Sequence, residues 1–524
     1  MRVDRLGIRG FKNLKDVDIE FDQDSLETVL IGQNGCGKSN VIEALATIFR
    51  DLDIPPRNSI PFSYFLSYDC KGHRVEIDQG YTGQSKTIVR IDGAESTMTK
   101  LRGENGAYLP NHVFGYYSGR SERLERIFDI PQRRYYEAAI KAGADESVDP
   151  RQSELRRLFY VRERYGALAL LTYFAFGDDG TTSFLRKHLG VRGFDSALLV
   201  LRQTDWGKRK PTGALLAQSD PRFWYARGLV RKLLDGLWQH SLAPFKHDET
   251  VNDDYRRAGY KEQQMFLFIK DVDSLLALAK PFQNEQSFFS YLETLDLSDL
   301  VRDVRIWVDR EGAESEIPFH EISDGEKQLL SVLGMMRFAA HDHSLFLLDE
   351  PDTHLNPAWK WNYLSLIKEV AGRKSNCHVI MTSHDPLTIA GLEKSQVQIL
   401  YRDGENGPVK AVQPNVDPKG LGVAGVLRQV FGMPTTLDPE TQRLVDERNT
   451  LLQEKERGAD IRDQLHKINA KLGSLGLAYQ SHDPDYDDYL RTLHEFRSAR
   501  QKPYTPKQIE EQNKFIRSFL EKMQ

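Results

Sequence analysis

The chain has 524 residues, with 71 lysines and arginines against 76 aspartates and glutamates, a formal net charge of −5. At ~150 residues per domain this length suggests roughly three domains, and 40% hydrophobic with 28% charged residues excludes disordered, collagen-like and channel-forming chains. The longest apolar run, Ala167–Phe176, falls well short of the ~20 residues of a membrane span. Met1–Arg5 offers no apolar signal region, and Cys36, Cys70 and Cys377 are too scattered for a disulfide framework or a zinc site. The expectation is a cytoplasmic protein with no membrane partner, whose nucleic-acid contacts would need a local basic patch.

In chain order, Val3, Leu6, Ile8 and then Val17, Ile19, Phe21 alternate with polar residues, as half-buried strands do. Glu27–Ile31 is a short apolar strand running into a glycine-rich loop, and the helical spacing of Val41, Ile42, Ala44, Leu45 and Ile48 predicts a helix over Asn40–Phe49. Residues 60–115 read as short antiparallel strands around a turn. From 120 to 300 the periodicity is mostly helical. Here 186–210 holds seven basic residues (Arg186, Lys187, Arg192, Arg202, Lys208, Arg209, Lys210) against Asp195 and Asp205. Strand–helix alternation resumes at Val304–Val308 and runs to about Tyr401. The remainder is charged and helical, with breaks at Gly458, Gly473–Gly476 and Pro484.

Four segments carry chemistry. Gly32-Gln-Asn-Gly-Cys-Gly-Lys-Ser39 fits GxxxxGK[ST] between a strand and a helix, the context this phosphate loop needs. Glycines let backbone N–H groups converge on phosphate oxygens, and the helix N-terminus adds its dipole. Lys38 would reach the β/γ-phosphates and the Ser39 hydroxyl would ligate Mg²⁺. Chance gives this pattern in about 2% of chains this long. Ser344–Leu348 is a hydrophobic run ending in Asp349-Glu350, which puts Asp349 beside the phosphate loop as a Mg²⁺ holder and Glu350 where it can orient a water. Val379–Ser383 is a further apolar strand ending at His384. Out of context such a histidine is usually bland, but a neighbouring strand ending at the same edge makes it a γ-phosphate sensor. Ser323-Asp324-Gly325-Glu326 precedes a helix, where a serine and a glycine make an anion site. Ser323 capping its own helix with Glu326 is the alternative, and both can hold.

In this order the four segments resemble ABC-type ATPases of the SMC, Rad50 and RecF class, and Ile8-Arg-Gly-Phe-Lys-Asn-Leu-Lys15 is similar to that class too. The resemblance implies an α/β, ABC-type nucleotide-binding domain (a RecA-like core sheet plus an antiparallel β subdomain) with a helical insertion and a helical C-terminal tail. Its halves would be 1–119 and 301–405, the insertion 120–300 and the partner-binding tail 415–524. It implies ATP and Mg²⁺ as cofactors, with Gly32, Asn34, Gly35, Gly37, Lys38, Ser39 and Asn40 on the nucleotide, Ser39 and Asp349 on the metal, and Glu350 and His384 as catalytic residues. It also implies a head-to-head dimer, or a higher oligomer, sandwiching two ATP, with Ser323 and Gly325 reaching the γ-phosphate of the facing subunit. Asp324 stands where the class often has a second glycine, and Gln79 and Gln84 are candidates for its Q-loop by position only.

Gly425–Gly432, Leu437–Leu452, Leu475-Gly476 and Asp483–Tyr486 resemble the tail of Septu-type antiphage ATPases (PtuA), some of them retron-associated. That implies a regulatory subunit for a small HNH nuclease, with DNA or retron RNA/DNA as possible nucleic acid. No Toprim or HNH pattern occurs in residues 402–524, so no intrinsic nuclease is expected. Asp483–Asp488 reads as a solvated loop. The alternative is a RecF-like DNA-binding repair ATPase using the basic segment 186–210.

Overall fold

The computed structural model describes all residues except 56–59, 85, 104–105, 142–155, 209, 253, 255, 257, 313–316, 319–320, 340–342, 372–375, 405–406, 454–458, 476–504 and 524. Arg209, Gly458, Gly476, Pro484 and the acidic stretch Asp483–Asp488 therefore lie outside the described residues. The chain forms two units, Met1–Val29 with Gly37–Ser383, and Leu30–Cys36 with His384–Gln524.

In the first unit, β1 (Arg2–Phe11) and β2 (Leu14–Glu20) form a hairpin in which Leu6 faces Ile19 and Ile8 faces Val17. All four are buried, so the alternation read in the sequence marks one packed face. β3 (Glu27–Gly32) begins in this unit. The helix Lys38–Asp53 starts two residues earlier than the expected Asn40, because Gly37 at φ 92 turns the chain directly into it. β4 (Ser63–Cys70), β5 (His73–Gln79), β6 (Ile88–Ile91) and β7 (Ala94–Ser96) complete an antiparallel sheet of order β2-β1-β4-β5-β6-β7.

β8 (Val113–Tyr117) and β9 (Leu158–Tyr160) are parallel to one another. The reading of 60–115 as antiparallel strands thus stops short of β8, which belongs to the core sheet. The 120–300 stretch contains helices such as Tyr165–Phe176 and Glu285–Leu297, yet it also contributes β10 (Val191–Arg202), β11 (Leu242–Val251) and β12 (Tyr260–Ile269). With β13 (Val301–Arg310) and β14 (Ile317–Pro318) they form a second antiparallel sheet of order β11-β12-β10-β13-β14. The mostly helical expectation is corrected here. Ala197–Leu201 is apolar at every position, which hides the period-two signal of a strand. Val304–Val308 is the middle of an antiparallel strand paired with β10 and β14 rather than the return of strand–helix alternation.

β15 (Leu345–Asp349) and β16 (His378–Thr382) lie in the parallel core, β15 pairing with β8 on one side and β16 on the other. Leu345–Leu348 are all at most 1% exposed, each such side chain contributing about 1.5–3 kcal/mol on burial. Parallel register brings Asp349 level with Tyr117, so the ends of β8, β15 and β16 share one edge of the sheet. That is where ligands meet open parallel sheets.

The second unit holds the loop Leu30–Cys36, the antiparallel pair β17 (Val397–Arg402) and β18 (Val409–Val412), and a helical tail. Helices Pro439–Gln453 and Ala459–Ser474 bury Leu444, Val445, Ile468 and Leu472 against each other, with Leu437 and Leu451 alongside. The helix Pro506–Met523 closes the tail. Among the described residues, no helix is long and apolar enough to cross a membrane.

Candidate nucleotide site

The loop Gly32–Gly37 places glycines at φ 142, 78 and 92 (Gly32, Gly35, Gly37). Two of them are also close-packed. A Cβ on Gly32 would sit 2.1 Å from the Leu400 carbonyl oxygen, and one on Gly37 would sit 2.7 Å from Asn13 Oδ1 and from Leu14 Cδ2. A side chain is excluded at Gly32 by the approach of the Leu400 backbone, and at both positions by the positive φ. The Arg402 guanidinium donates to the Gly35 carbonyl at 3.1 Å, which fixes the loop's middle. In the second unit Gly32, Gln33, Asn34 and Cys36 line a cavity of about 1100 Å³ with His384, Arg402, Leu427, Phe431 and Gln508.

A second group of candidate residues lies in the first unit. Lys38 is 6% exposed at the start of its helix. Asn40 Nδ2 donates to Asn13 Oδ1 at 2.6 Å, so the turn between β1 and β2 braces this helix start. Ser39 Oγ donates to Asp349 Oδ1 at 3.1 Å, joining residues 310 apart in sequence. Thr382 Oγ1 donates to the same Asp349 oxygen at 2.6 Å and accepts the Glu350 N–H at 2.9 Å. Glu350 has φ 53, a conformation that costs a non-glycine residue about 1–3 kcal/mol. The strand end and Thr382 thus help to set its backbone.

Burial is the main cause that pushes the Asp349 carboxyl above its ordinary range; hydrogen bonds from Thr382 and Ser39 oppose it, and the Glu350 and Glu43 charges add to it. The Ser39 hydroxyl and the Asp349 carboxylate are hard oxygen donors within reach of one another, a set that fits Mg²⁺ with water completing the shell. A sign follows for stability. A carboxyl whose folded value is raised stabilises the fold at low pH and loses that contribution as pH climbs through the raised value. At neutral pH the ionised group is a cost that asparagine avoids. Asp349→Asn should melt a few degrees above wild type at pH 7.5 without ligand, converge with it toward pH 4, and lose Mg²⁺-dependent nucleotide binding. Calorimetric melts over that range check it, and a lower melting temperature at pH 7.5 would contradict it.

The segment Ser323–Gly325 opens the helix Asp324–Ala339. Ser323 N and Oγ both donate to Glu326 Oε2 at 2.9 Å, and Glu326 N donates to Ser323 Oγ at 3.3 Å, a reciprocal capping box. Asp324, Lys327 and Gln328 share a cavity of about 640 Å³ with Glu350, Tyr117 and Ser118. The structure thus brings together Gly37, Lys38, Ser39, Asn40, Asp349 and Glu350, and separately Gly32, Asn34, Gly35 and His384. It places Gln79 and Gln84 on a different cavity, of about 410 Å³, beside the antiparallel sheet. Sequence reasoning passed over Tyr117 and Ser118 at the end of β8. Ser118 N donates to the Asp349 carbonyl at 3.3 Å and Ser118 Oγ to Thr353 Oγ1 at 3.3 Å. The apolar run Val113–Tyr117 ending in Ser-Gly was the available signal.

A family described as "AAA domain, putative AbiEii toxin, Type IV TA system" matches residues 28–390, well over half of the sequence. The chain belongs to this AAA-domain family. This AAA-domain protein is 20% identical over 432 residues to the Retron Vc95 probable ATPase of Vibrio cholerae serotype O1 biovar El Tor, covering 76% of this chain and 73% of that protein. It is 23% identical over 233 residues to Septu protein PtuA of Bacillus mycoides (strain KBAB4), covering 39% of this chain and 32% of PtuA. DNA replication and repair protein RecF of Acetivibrio thermocellus matches at 28% over 143 residues, 25% of this chain and 37% of RecF. The AAA-domain protein is thus an ABC-type ATPase of the SMC/RecF class, related to Septu and retron ATPases.

Proposed function

We propose that the protein binds and hydrolyses ATP as the regulatory and scaffolding subunit of an antiphage defence complex, dimerising around two ATP and controlling a partner HNH nuclease. The observation that carries this reading is that the phosphate loop and the C-terminal tail wall the same cavity. Gln33, Asn34 and His384 face it together with Leu427, Phe431, Met433 and Gln508. A ligand that reorders the loop at Gly35 pulls on Arg402, and through β17 on the tail. A tail that feels the nucleotide is what a nuclease-holding subunit needs. The match to the retron ATPase, longer than residues 28–390, supports the same assignment.

In this reading the loop N–H groups and Lys38 bind the phosphates, and Asn34 and Asn40 flank them. Ser39 and Asp349 hold Mg²⁺, which when bound neutralises phosphate charge. Glu350 orients and deprotonates the attacking water, and His384 contacts the γ-phosphate. Ser323 and Gly325 present a helix N-terminus to the nucleotide of a second copy.

The RecF match favours the second reading, a DNA-binding repair ATPase. Four of the six described cations of 186–210 are in ion pairs, which weighs against it. Lys187 pairs with Glu369 at 3.6 Å, Arg192 with Glu311 at 3.6 Å, Lys208 with Asp205 at 2.6 Å, and Arg202 with Asp299. Removing the tail from about residue 440 should release the nuclease in co-purification, while neutralising Lys208, Arg209 and Lys210 should leave it bound. Under the DNA-clamp reading that triple neutralisation instead lowers the slope of log affinity against log salt by about 3. Such a slope change, with no nuclease recovered from the full-length protein, would replace the first reading by the second.

A further inference from the structure

Gln328 lies one turn beyond Gly325 and is 4% exposed. Both ends of its amide are used, and the Tyr116 hydroxyl on β8 hydrogen-bonds the same side chain. Nε2 donates to the Pro351 carbonyl at 2.6 Å, and Oε1 accepts the His354 N–H at 3.2 Å. Those two backbone groups flank the turn that follows Glu350. Within the turn, Asp352 accepts Ser383 Oγ at 2.6 Å, and Thr353 Oγ1 donates to the Glu350 carbonyl at 3.0 Å. The left-handed Glu350 is therefore held from behind by a side chain of the Ser323–Gly325 helix.

The grip is tight at the helix start as well. A Cβ on Gly325 would lie 2.8 Å from the His354 carbonyl oxygen, so the helix N-terminus and the turn are in backbone contact. The capping box and the Arg310–Glu326 ion pair at 2.5 Å fix that N-terminus in turn. We infer that Gln328 is a positioning residue that locks the Ser323–Gly325 segment to the Glu350 turn, so that the anion-facing helix end and the water-orienting carboxylate move as one body. The inference rests on the reading of Glu350 as the residue that orients the attacking water.

An amide is required because the turn offers one acceptor and one donor. Glutamate at this position accepts from His354 N–H but, when ionised, sets a lone pair against the Pro351 carbonyl; protonated, it donates there again. Leucine serves neither group and leaves both unsatisfied. ATP turnover and ATP affinity are to be measured from pH 6 to 8.5 for wild type, Gln328→Glu, Gln328→Leu and, as reference, Glu350→Gln. Tyr116, Glu163, Lys327, Glu350 and His354 line the same cavity, so each variant is read as its ratio to wild type at the same pH.

Gln328→Leu should cut turnover about 10–100-fold with ATP affinity within ~3-fold, at a ratio that is flat in pH. Gln328→Glu should match it at pH 8.5 and recover toward wild type as pH falls, a signature that a merely structural role does not produce. If the leucine protein does not fold, the pH ratio of Gln328→Glu decides. Turnover within twofold of wild type in the Gln328 variants, or an affinity loss as large as the turnover loss, overturns the inference. So does a flat pH ratio for Gln328→Glu. If Glu350→Gln is slow while the Gln328 variants are normal, the coupling fails and the carboxylate reading stands. If Glu350→Gln turns over at the wild-type rate, the carboxylate reading falls and the inference falls with it.

Discussion

Glu350→Gln should bind ATP·Mg²⁺ within about threefold of wild type and hydrolyse it about 10²–10⁴-fold more slowly, the range spanned by general-base catalysis. The N–H of Glu350 is on Thr382 Oγ1 and its φ is 53, and glutamine is isosteric. What disappears is a group able to take a proton from water. Single-turnover hydrolysis alongside equilibrium ATP binding separates the two quantities. Wild-type turnover would remove Glu350 from its assigned role, and lost binding would mean that the substitution acts on phosphate recognition instead. Slow basal turnover in the wild type would not count against the assignment, because the comparison is a ratio.

Lys38→Ala carries the other large effect. Its side chain is almost wholly buried where the loop becomes helix. There the ammonium adds to the helix dipole and to the N–H groups of the loop. Each hydrogen bond from a charged group contributes ~1.5–3 kcal/mol, and a P-loop lysine makes more than one to phosphate oxygens. The expected loss is at least ~100-fold in ATP affinity by isothermal calorimetry, with the melting temperature of the ligand-free protein little changed. Affinity within threefold of wild type would show that the loop binds phosphate without it.

Much of this site was readable before any coordinates. The phosphate loop was, because its spacing is dictated by backbone geometry: glycines at Gly32, where the Leu400 backbone leaves no room, and at the positive φ of Gly37, followed at once by a helix. Asp349 was, because a fully apolar strand ending in two acids has one sensible place in a parallel sheet. The capping half of the Ser323 reading was legible too, since the box with Glu326 is present at the start of the helix. Other features depend on partners that no local pattern reveals. The role of Gln328 exists only once Pro351 and His354, 23 and 26 residues away, fold back onto it. The bond from Arg402 to Gly35 spans 367 residues. β10 and β12 were concealed by apolar residues at consecutive positions, Ala197–Leu201 and Met265–Ile269, and part of the charge excess of 186–210 is matched by acids outside the segment, Asp299, Glu311 and Glu369.

The most direct test of the proposed nucleotide switch is the native mass of Glu350→Gln with ATP and Mg²⁺, against the same protein with ADP. The expected species is a dimer, or a multiple of one, carrying two ATP per pair of chains, which falls apart with ADP and which Ser323→Arg prevents from forming. A monomer that binds ATP at every protein concentration tested would contradict it.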